Sequence, residues 1–157
     1  MNEEFDAIDL RLLDALQADA SLSNQDLAAR VAVSPATCLR RVKRLVEAGV
    51  IARRVAILSP DRLGTSLSAI LEITLDRQGA EHLDAFEARA VQEAAVRQCW
   101  RVSPGPDFVL VVQVADMPAY HALTQRLLTQ DANVRNIKAF FSVKRAKFDT
   151  QISLPRL

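Results

Sequence analysis

Apolar residues fall at helical spacing along the first third of the chain. Within residues 5–18, Ile8, Leu12, Leu13 and Leu16 recur with polar residues between them, which predicts an amphipathic helix. Ser23 then stands where an N-cap is needed, its oxygen able to accept a free backbone N–H of a helix running to about Val31. Leu27, Ala28 and Val31 form that helix's apolar stripe. Ser34-Pro35 repeats the start signal, because proline at the first helical position gives up an N–H that has no helical partner anyway. The third helix runs to about Ala48, where Gly49 tolerates the left-handed conformation that ends it. Cys38, Leu39, Val42, Leu45 and Val46 form its expected buried stripe, and Thr37, Arg40, Arg41, Lys43 and Arg44 occupy the remaining face. Two helices joined by a short turn, the second capped by serine, fit a helix-turn-helix. Residues 50–58 (VIARRVAIL) read as β, a wing beside the third helix with Arg53 and Arg54 at its centre.

Ser59-Pro60 interrupts this pattern, and the period changes beyond it. Leu67, Ala69, Leu71, Ile73 and Leu75 alternate with more polar neighbours and predict a strand. A helix follows from Gly79 to about Gln92 with Leu83, Phe86 and Ala90 inward, then a strand over residues 96–103. Pro104-Gly105-Pro106-Asp107 reads as a turn, and FVLVVQV over residues 108–114 as a strand apolar enough to be buried on both faces. Asp116 can cap a helix with Pro118 in its first turn and Tyr120, Leu123, Thr124, Leu127 and Leu128 inward. A last strand is expected over residues 134–148. The fold class is thus α+β: a winged helix-turn-helix over residues 1–58, a linker over 59–66, and a ferredoxin-like βαββαβ domain over 67–157. Two helices cover only one face of such a sheet. The face of Ile137, Ala139, Phe141 and Val143, or its opposite, is therefore the expected subunit interface.

Composition narrows the function. Half of the 157 residues are hydrophobic and 25% are charged, a globular balance and not a disordered one. No apolar run approaches the ~20 residues of a membrane span, so no membrane partner is expected. The amphipathic, acidic start is unlike a signal peptide, and Cys38 and Cys99 form no CxxC pair, which together suggest a cytoplasmic protein with reduced thiols. His82 and His121 are the two histidines; neither neighbours a cysteine, and no metal cluster, phosphate loop or nucleophile elbow occurs, so neither enzyme activity nor a cofactor is expected. The net charge of +1 conceals an asymmetry: residues 1–29 carry seven acids and one base, residues 30–54 seven bases and one acid. Such a block is the footprint of a phosphate-binding surface, a solvated helix face being the plain alternative. With double-stranded DNA as the partner, Ser34, Ala36, Thr37, Arg40 and Arg41 occupy the part of the third helix that meets base edges, and Lys43, Arg44, Arg53 and Arg54 fall to phosphates.

The segments IDLRLLDALQADA and SLSNQDLAARVAVSPATCLRRVKRLVEAGVI, followed by QCWRVSPGPDFVLVVQVADMPAYHAL, resemble the Lrp/AsnC (feast/famine) family of transcription regulators over essentially the whole chain. The resemblance implies dimers formed by sheet packing, often assembled into octamers, and an amino acid or related metabolite bound between subunits near the turn joining the second and third strands. It implies control of amino-acid metabolism or of the protein's own gene. Many members carry Gly-Asp-x-Asp in that turn; here Pro104, Gly105, Pro106 and Asp107 keep only the last acid, and Ala139 replaces a common hydroxyl on the final strand. Another metabolite, weaker binding or none are the alternatives this leaves. The candidate effector residues are Trp100, Ser103, Gly105 and Asp107, the last as acceptor for an ammonium, with Arg101 and Lys138 as carboxylate partners. Asp107 as a plain turn cap is the competing reading. Two other functions are the alternatives to a regulator, an enzyme on the same two-domain plan, like some haem-pathway decarboxylases, and a structural oligomer without DNA activity; the cationic third helix and the scarcity of histidine speak against the enzyme.

Overall fold

A computed structural model describes residues 5–64, 66–129 and 133–155. Thr65 of the expected linker, and residues 1–4, 130–132 and 156–157 of the two expected domains, lie outside them. The chain divides into two compact units, one of Met1–Leu58 with Lys147–Leu157, the other of Ser59–Ala146. By contacts the segment from Lys147 groups with the N-terminal unit, although the sequence places it after the last strand of the sheet domain.

In the first unit, helices α1 (Ala7–Ala18), α2 (Asn24–Arg30) and α3 (Pro35–Glu47) follow the periodicity closely. Ser23 accepts the Asp26 N–H at 3.1 Å and Ser34 accepts that of Thr37 at 3.2 Å, so both serines cap as expected. Gly49 stops α3 with φ at 73°. Leu12, Ala15, Leu16, Leu27, Ala28, Val31 and Cys38 close the core, each large aliphatic side chain contributing roughly 1.5–3 kcal/mol by leaving water. Leu39 and Val46 do not join it: they are 61% and 47% exposed. At 100° per residue, α3 turns Cys38, Arg41, Val42 and Leu45 inward and leaves Leu39 and Val46 on a flank. The stripe drawn from hydrophobicity was therefore rotated away from the true inner face.

The expected wing strand is also absent as a strand. Residues 50–58 join no ladder: Ile51 donates its N–H to the Leu45 carbonyl at the end of α3, and Val55, Ile57 and Leu58 are exposed. A strand exists only with a ladder partner, and no neighbouring segment of the described residues supplies one. Residues 50–55 and Ile57 instead border an open groove of about 690 Å³ shared with Leu13, Leu16, Gln17 and the C-terminal segment at Thr150, Ile152 and Leu154.

The second unit opens with a single turn, α4 (Pro60–Leu63), inside the expected linker. Strand β1 (Leu67–Leu75), α5 (Ala80–Gln92), β2 (Val96–Arg101), β3 (Phe108–Val114), α6 (Met117–Thr124) and β4 (Val134–Phe141) follow in the predicted order. The sheet runs β2-β3-β1-β4, every neighbouring pair antiparallel, which is the ferredoxin-like arrangement. A π-helical turn at Gln125–Thr129 extends α6, and its wider winding brings both Leu127 and Leu128 into the core. Strand β4 ends at Phe141, not Phe148, because its ladder to β1 ends with the pairing of Phe141 and Ala69. Ile137, Ala139 and Phe141 pair with Ile73, Leu71 and Ala69, all buried, and Phe141 stacks edge-on against Tyr120 of α6 at 4.9 Å. That face is the one the helices cover. The open face is its opposite, carrying Ile70, Glu72, Trp100, Val109, Val111, Lys138 and Phe140. No helix among the described residues is long and apolar enough to cross a membrane.

Candidate DNA-reading helix and effector turn

The first two turns of α3 present Ser34, Ala36 and Arg40 to solvent, with Thr37 half-buried. Ser34 also donates its hydroxyl to Thr37 Oγ1 at 2.9 Å, so both side chains are held at the helix start. Asn24 of α2 donates its amide to the Pro35 carbonyl at 2.9 Å and fixes that start against α2. Arg40, Arg53 and Arg54 are exposed and form no ion pair among the described residues. Lys43 lies 3.7 Å from Glu47, an exposed pair one helical turn apart that is worth little.

Arg41 departs from the sequence reading. Only 18% exposed, it reaches back to α1, its Nη1 2.7 Å from Asp6 Oδ2 and 2.9 Å from Asp9 Oδ1. Arg44, half-exposed, meets Asp9 Oδ2 at 2.5 Å. The Asp6 carboxylate is held below its ordinary pKa first by the Asp9 backbone N–H and next by Arg41, while the bond to Asp6 raises Arg41 further. Arg41 is thus committed to the acids of α1, because its place on the helix turns it toward the core. Asp6, Asp9 and Asn24 are the residues that reasoning from the sequence missed. Asp6 and Asp9 form a capping box at the start of α1, and the Asp-x-x-Asp spacing was a signal for it.

At the turn between β2 and β3, Ser103 and Gly105 are exposed, the Ser103–Pro104 bond is cis, and Gly105 has φ at 122°, a value that favours glycine. Asp107 Oδ2 accepts the Leu75 backbone N–H at 2.7 Å and the Gln78 amide at 3.2 Å, while the Asp107 N–H donates to the Ile73 carbonyl at 2.8 Å. It clasps the turn to the end of β1 and does not bond the turn's own backbone in the way a turn cap would. Arg101 lies on the helix-covered face, 2.7 Å from both Asp84 and Glu87 of α5, with its guanidinium over Phe108. Strand alternation sends it away from Trp100, so the two do not meet as an effector pair. Trp100 is 58% exposed on the open face. Its cross-strand row runs Trp100, Val109, Glu72, Lys138, with Lys138 Nζ 3.9 Å from Glu72. Burial raises the pKa of the Cys38 and Cys99 thiols, which keeps them protonated and poor nucleophiles.

Two family models match the chain, and the second takes in residues 147–152, which group by contacts with the N-terminal unit. Residues 5–52 match winged helix-turn-helix DNA-binding domains, and residues 68–152 match the Lrp/AsnC ligand binding domain. The chain belongs to the Lrp/AsnC family. It is a DNA-binding transcription regulator with a ligand-binding domain and not an enzyme. It is 35% identical to the leucine-responsive regulatory protein of Rhizobium meliloti, over 96% of this chain and 97% of that one. Among solved structures, an AsnC family regulator from Agrobacterium tumefaciens superposes with a TM-score of 0.86 at 31% identity, covering 95% and 97% of the two chains. A transcriptional regulator from Neisseria meningitidis in complex with L-methionine gives 0.86 at 29% identity, covering 96% and 97%.

Proposed function

We propose that this Lrp/AsnC regulator reads its operator with Ser34, Ala36, Thr37 and Arg40, while Lys43, Arg44, Arg53 and Arg54 contact phosphates. The observation that carries this is the sorting of arginines on α3: Arg40 is exposed and has no ion-pair partner among the described residues, whereas Arg41 is bonded to Asp6 and Asp9. An unpaired guanidinium near a helix start suits bidentate contact with guanine in the major groove. A homodimer, or an octamer built from it, covers the open sheet face, and the paired reading helices meet half-sites spaced by whole helical turns of roughly 34 Å. The effector is an amino acid or related metabolite bound between subunits beside Trp100, Ser103 and Gly105, in line with the L-methionine held by the Neisseria relative. Lys138 is the carboxylate partner this favours over Arg101, because it shares the face of Trp100. The protein works in the cytoplasm.

Fluorescence anisotropy with the gene's own upstream DNA against a random duplex, at two salt concentrations and with or without a pool of amino acids, tests the whole reading. Preference for the upstream DNA, loss of affinity as salt rises and a response to the pool are expected, since phosphate binding releases counterions. Salt-independent binding would refute the phosphate assignment, and specific binding indifferent to the pool would refute the amino-acid effector.

A further inference from the structure

Asp9 is the one buried charged side chain among the described residues, at 1% exposure. Its two oxygens are divided between two arginines of a single helix. Arg41 Nη1 donates to Oδ1 at 2.9 Å and Arg44 Nη2 donates to Oδ2 at 2.5 Å. Oδ2 also accepts the Asp6 backbone N–H at 3.3 Å, which closes the capping box and fixes the carboxylate to the first turn of α1. The anchor is rigid and both of its tethers belong to α3.

Stability alone is a weak reason for such a cluster. Well-packed apolar residues commonly replace a buried ion group without loss, and the best-attested use of buried polarity is to single out one geometry. Here the geometry is that of α3. Arg41 and Arg44 are about 4.5 Å apart along the helix axis and about 60° apart around it. A carboxylate bonded to both specifies the rotation of the helix and its axial position together. Turning α3 by one residue, about 100°, or sliding it by ~1.5 Å would break at least one bond. The same two coordinates decide where Ala36, Thr37 and Arg40 point. Charge matters as well: α3 carries four bases, Arg40, Arg41, Lys43 and Arg44, and Asp6 with Asp9 offsets two of them. That weakens attraction to any phosphate regardless of sequence, and leaves discrimination to Arg40 and its neighbours.

We infer that Asp9 is the positioning residue of the DNA-reading helix, its carboxylate setting the rotation and register of α3 through Arg41 and Arg44 while masking their charge. This deepens the proposed role of α3 and rests on it. Asp9 touches no DNA in this scheme; it acts through the helix.

The test begins with a duplex that the wild-type protein selects from a random pool. Affinities for the selected and for a random duplex are then measured at one salt concentration for wild type and Asp9→Asn, beside thermal melts. Asparagine keeps the shape and one acceptor oxygen but removes the charge. The selected-to-random ratio is expected to fall about ten-fold or more, the discrimination supplied by one good base contact. Affinity for the random duplex is expected to hold or rise, because one positive charge is unmasked. A merely structural role has the opposite signature: both affinities drop together with the folded fraction and the ratio stays, which would overturn the inference. Arg44→Gln covers the case in which Asp9→Asn does not fold, since that side chain is half-exposed and Arg41 still holds Asp9. Loss of its phosphate contact lowers both affinities alike, so the ratio is the readout: it should fall too, and an unchanged ratio would refute the tether. A wild-type protein that selects no duplex would overturn the assignment of α3 and this inference with it. A selected duplex bound equally by Asp9→Asn would overturn this inference alone.

Discussion

Arg40 and Arg41 are adjacent in sequence and should behave as opposites. About 100° apart on α3, one faces solvent and the other faces α1. Arg41→Ala removes one of the two guanidiniums on Asp9, a carboxylate only 1% exposed. Breaking one side of a buried pair costs about 3–5 kcal/mol when the orphaned charge has no other partner. Asp9 keeps Arg44, so about half of that range, ~2 kcal/mol, is the expected loss. For a unit of this size each kcal/mol shifts the midpoint by about 4–8 °C, which places the Arg41→Ala melt ~8–16 °C below wild type. Arg40→Ala alters an exposed, unpaired side chain and should stay within about 0.5 kcal/mol. Its loss should appear in DNA affinity instead, by ~1–3 kcal/mol on a selected duplex, as expected for a base-reading arginine. Thermal melts followed by circular dichroism, beside anisotropy titrations at a temperature where all variants are folded, separate the two. An Arg41→Ala protein that melts with wild type yet loses sequence preference would refute the reasoning: Arg41 would then be reading a base, and its bonds to Asp6 and Asp9 would contribute nothing.

Other outcomes follow from single features of the structure. The Asp9 backbone N–H, and next Arg41, hold the Asp6 carboxyl below its ordinary value of 3.8, so its stabilisation is complete above that value and is lost as pH falls through the lower folded value. Urea midpoints should therefore decline below about pH 4, less steeply in Asp6→Asn, and identical acid limbs would contradict the capping-box assignment. Trp100 is the chain's single tryptophan and is 58% exposed on the open face, so its emission should move to shorter wavelength on assembly and back on dilution. Emission that ignores concentration across a dimer-to-monomer transition would place the interface elsewhere. Gln17 meets Ile152 in both directions, its Nε2 donating to the carbonyl at 3.0 Å and its Oε1 accepting the N–H at 3.1 Å. With roughly 1 kcal/mol for such a bond, Gln17→Ala should speed amide exchange at Ile152 roughly five-fold, and an unchanged rate would mean the tail is not held there.

Local signals were the ones most readily recovered from the sequence. The serine caps at Ser23 and Ser34, the stop at Gly49 and the strand alternation of β1 act within a few residues, so the pattern along the chain carries them. What failed depended on distant partners. Leu39 and Val46 look like core beside Cys38 and Leu45, but which flank of α3 turns inward is decided by α1 through Asp9, which no hydrophobic count records. The bonds of Arg41 to Asp6 and Asp9 were hidden for the same reason. Residues 50–58 have the composition of a strand, yet a ladder needs a second segment, and composition cannot say whether one is supplied. At the effector turn the alternation of β2 was legible. Its consequence, that Arg101 points to α5 while Trp100 points away, follows from period two alone and was available beforehand.

The two parts of the chain that look unfinished share one physical cause. Residues 50–58 join no ladder and expose Val55, Ile57 and Leu58, while the open face of the sheet carries Ile70, Trp100 and Phe140 in solvent. A single chain gains nothing from exposing apolar side chains on a strand-like segment or a sheet face, and contiguous patches of this kind mark contacts with another surface. The charged pair within the open face, Glu72 with Lys138, argues that this surface is selective as well as apolar, because a partner must satisfy both charges when water leaves. A second copy of the chain brings the same pair to the same face, as a two-fold interface requires. Asp107, the acid the turn keeps, meanwhile holds β3 to the end of β1 through the Leu75 N–H.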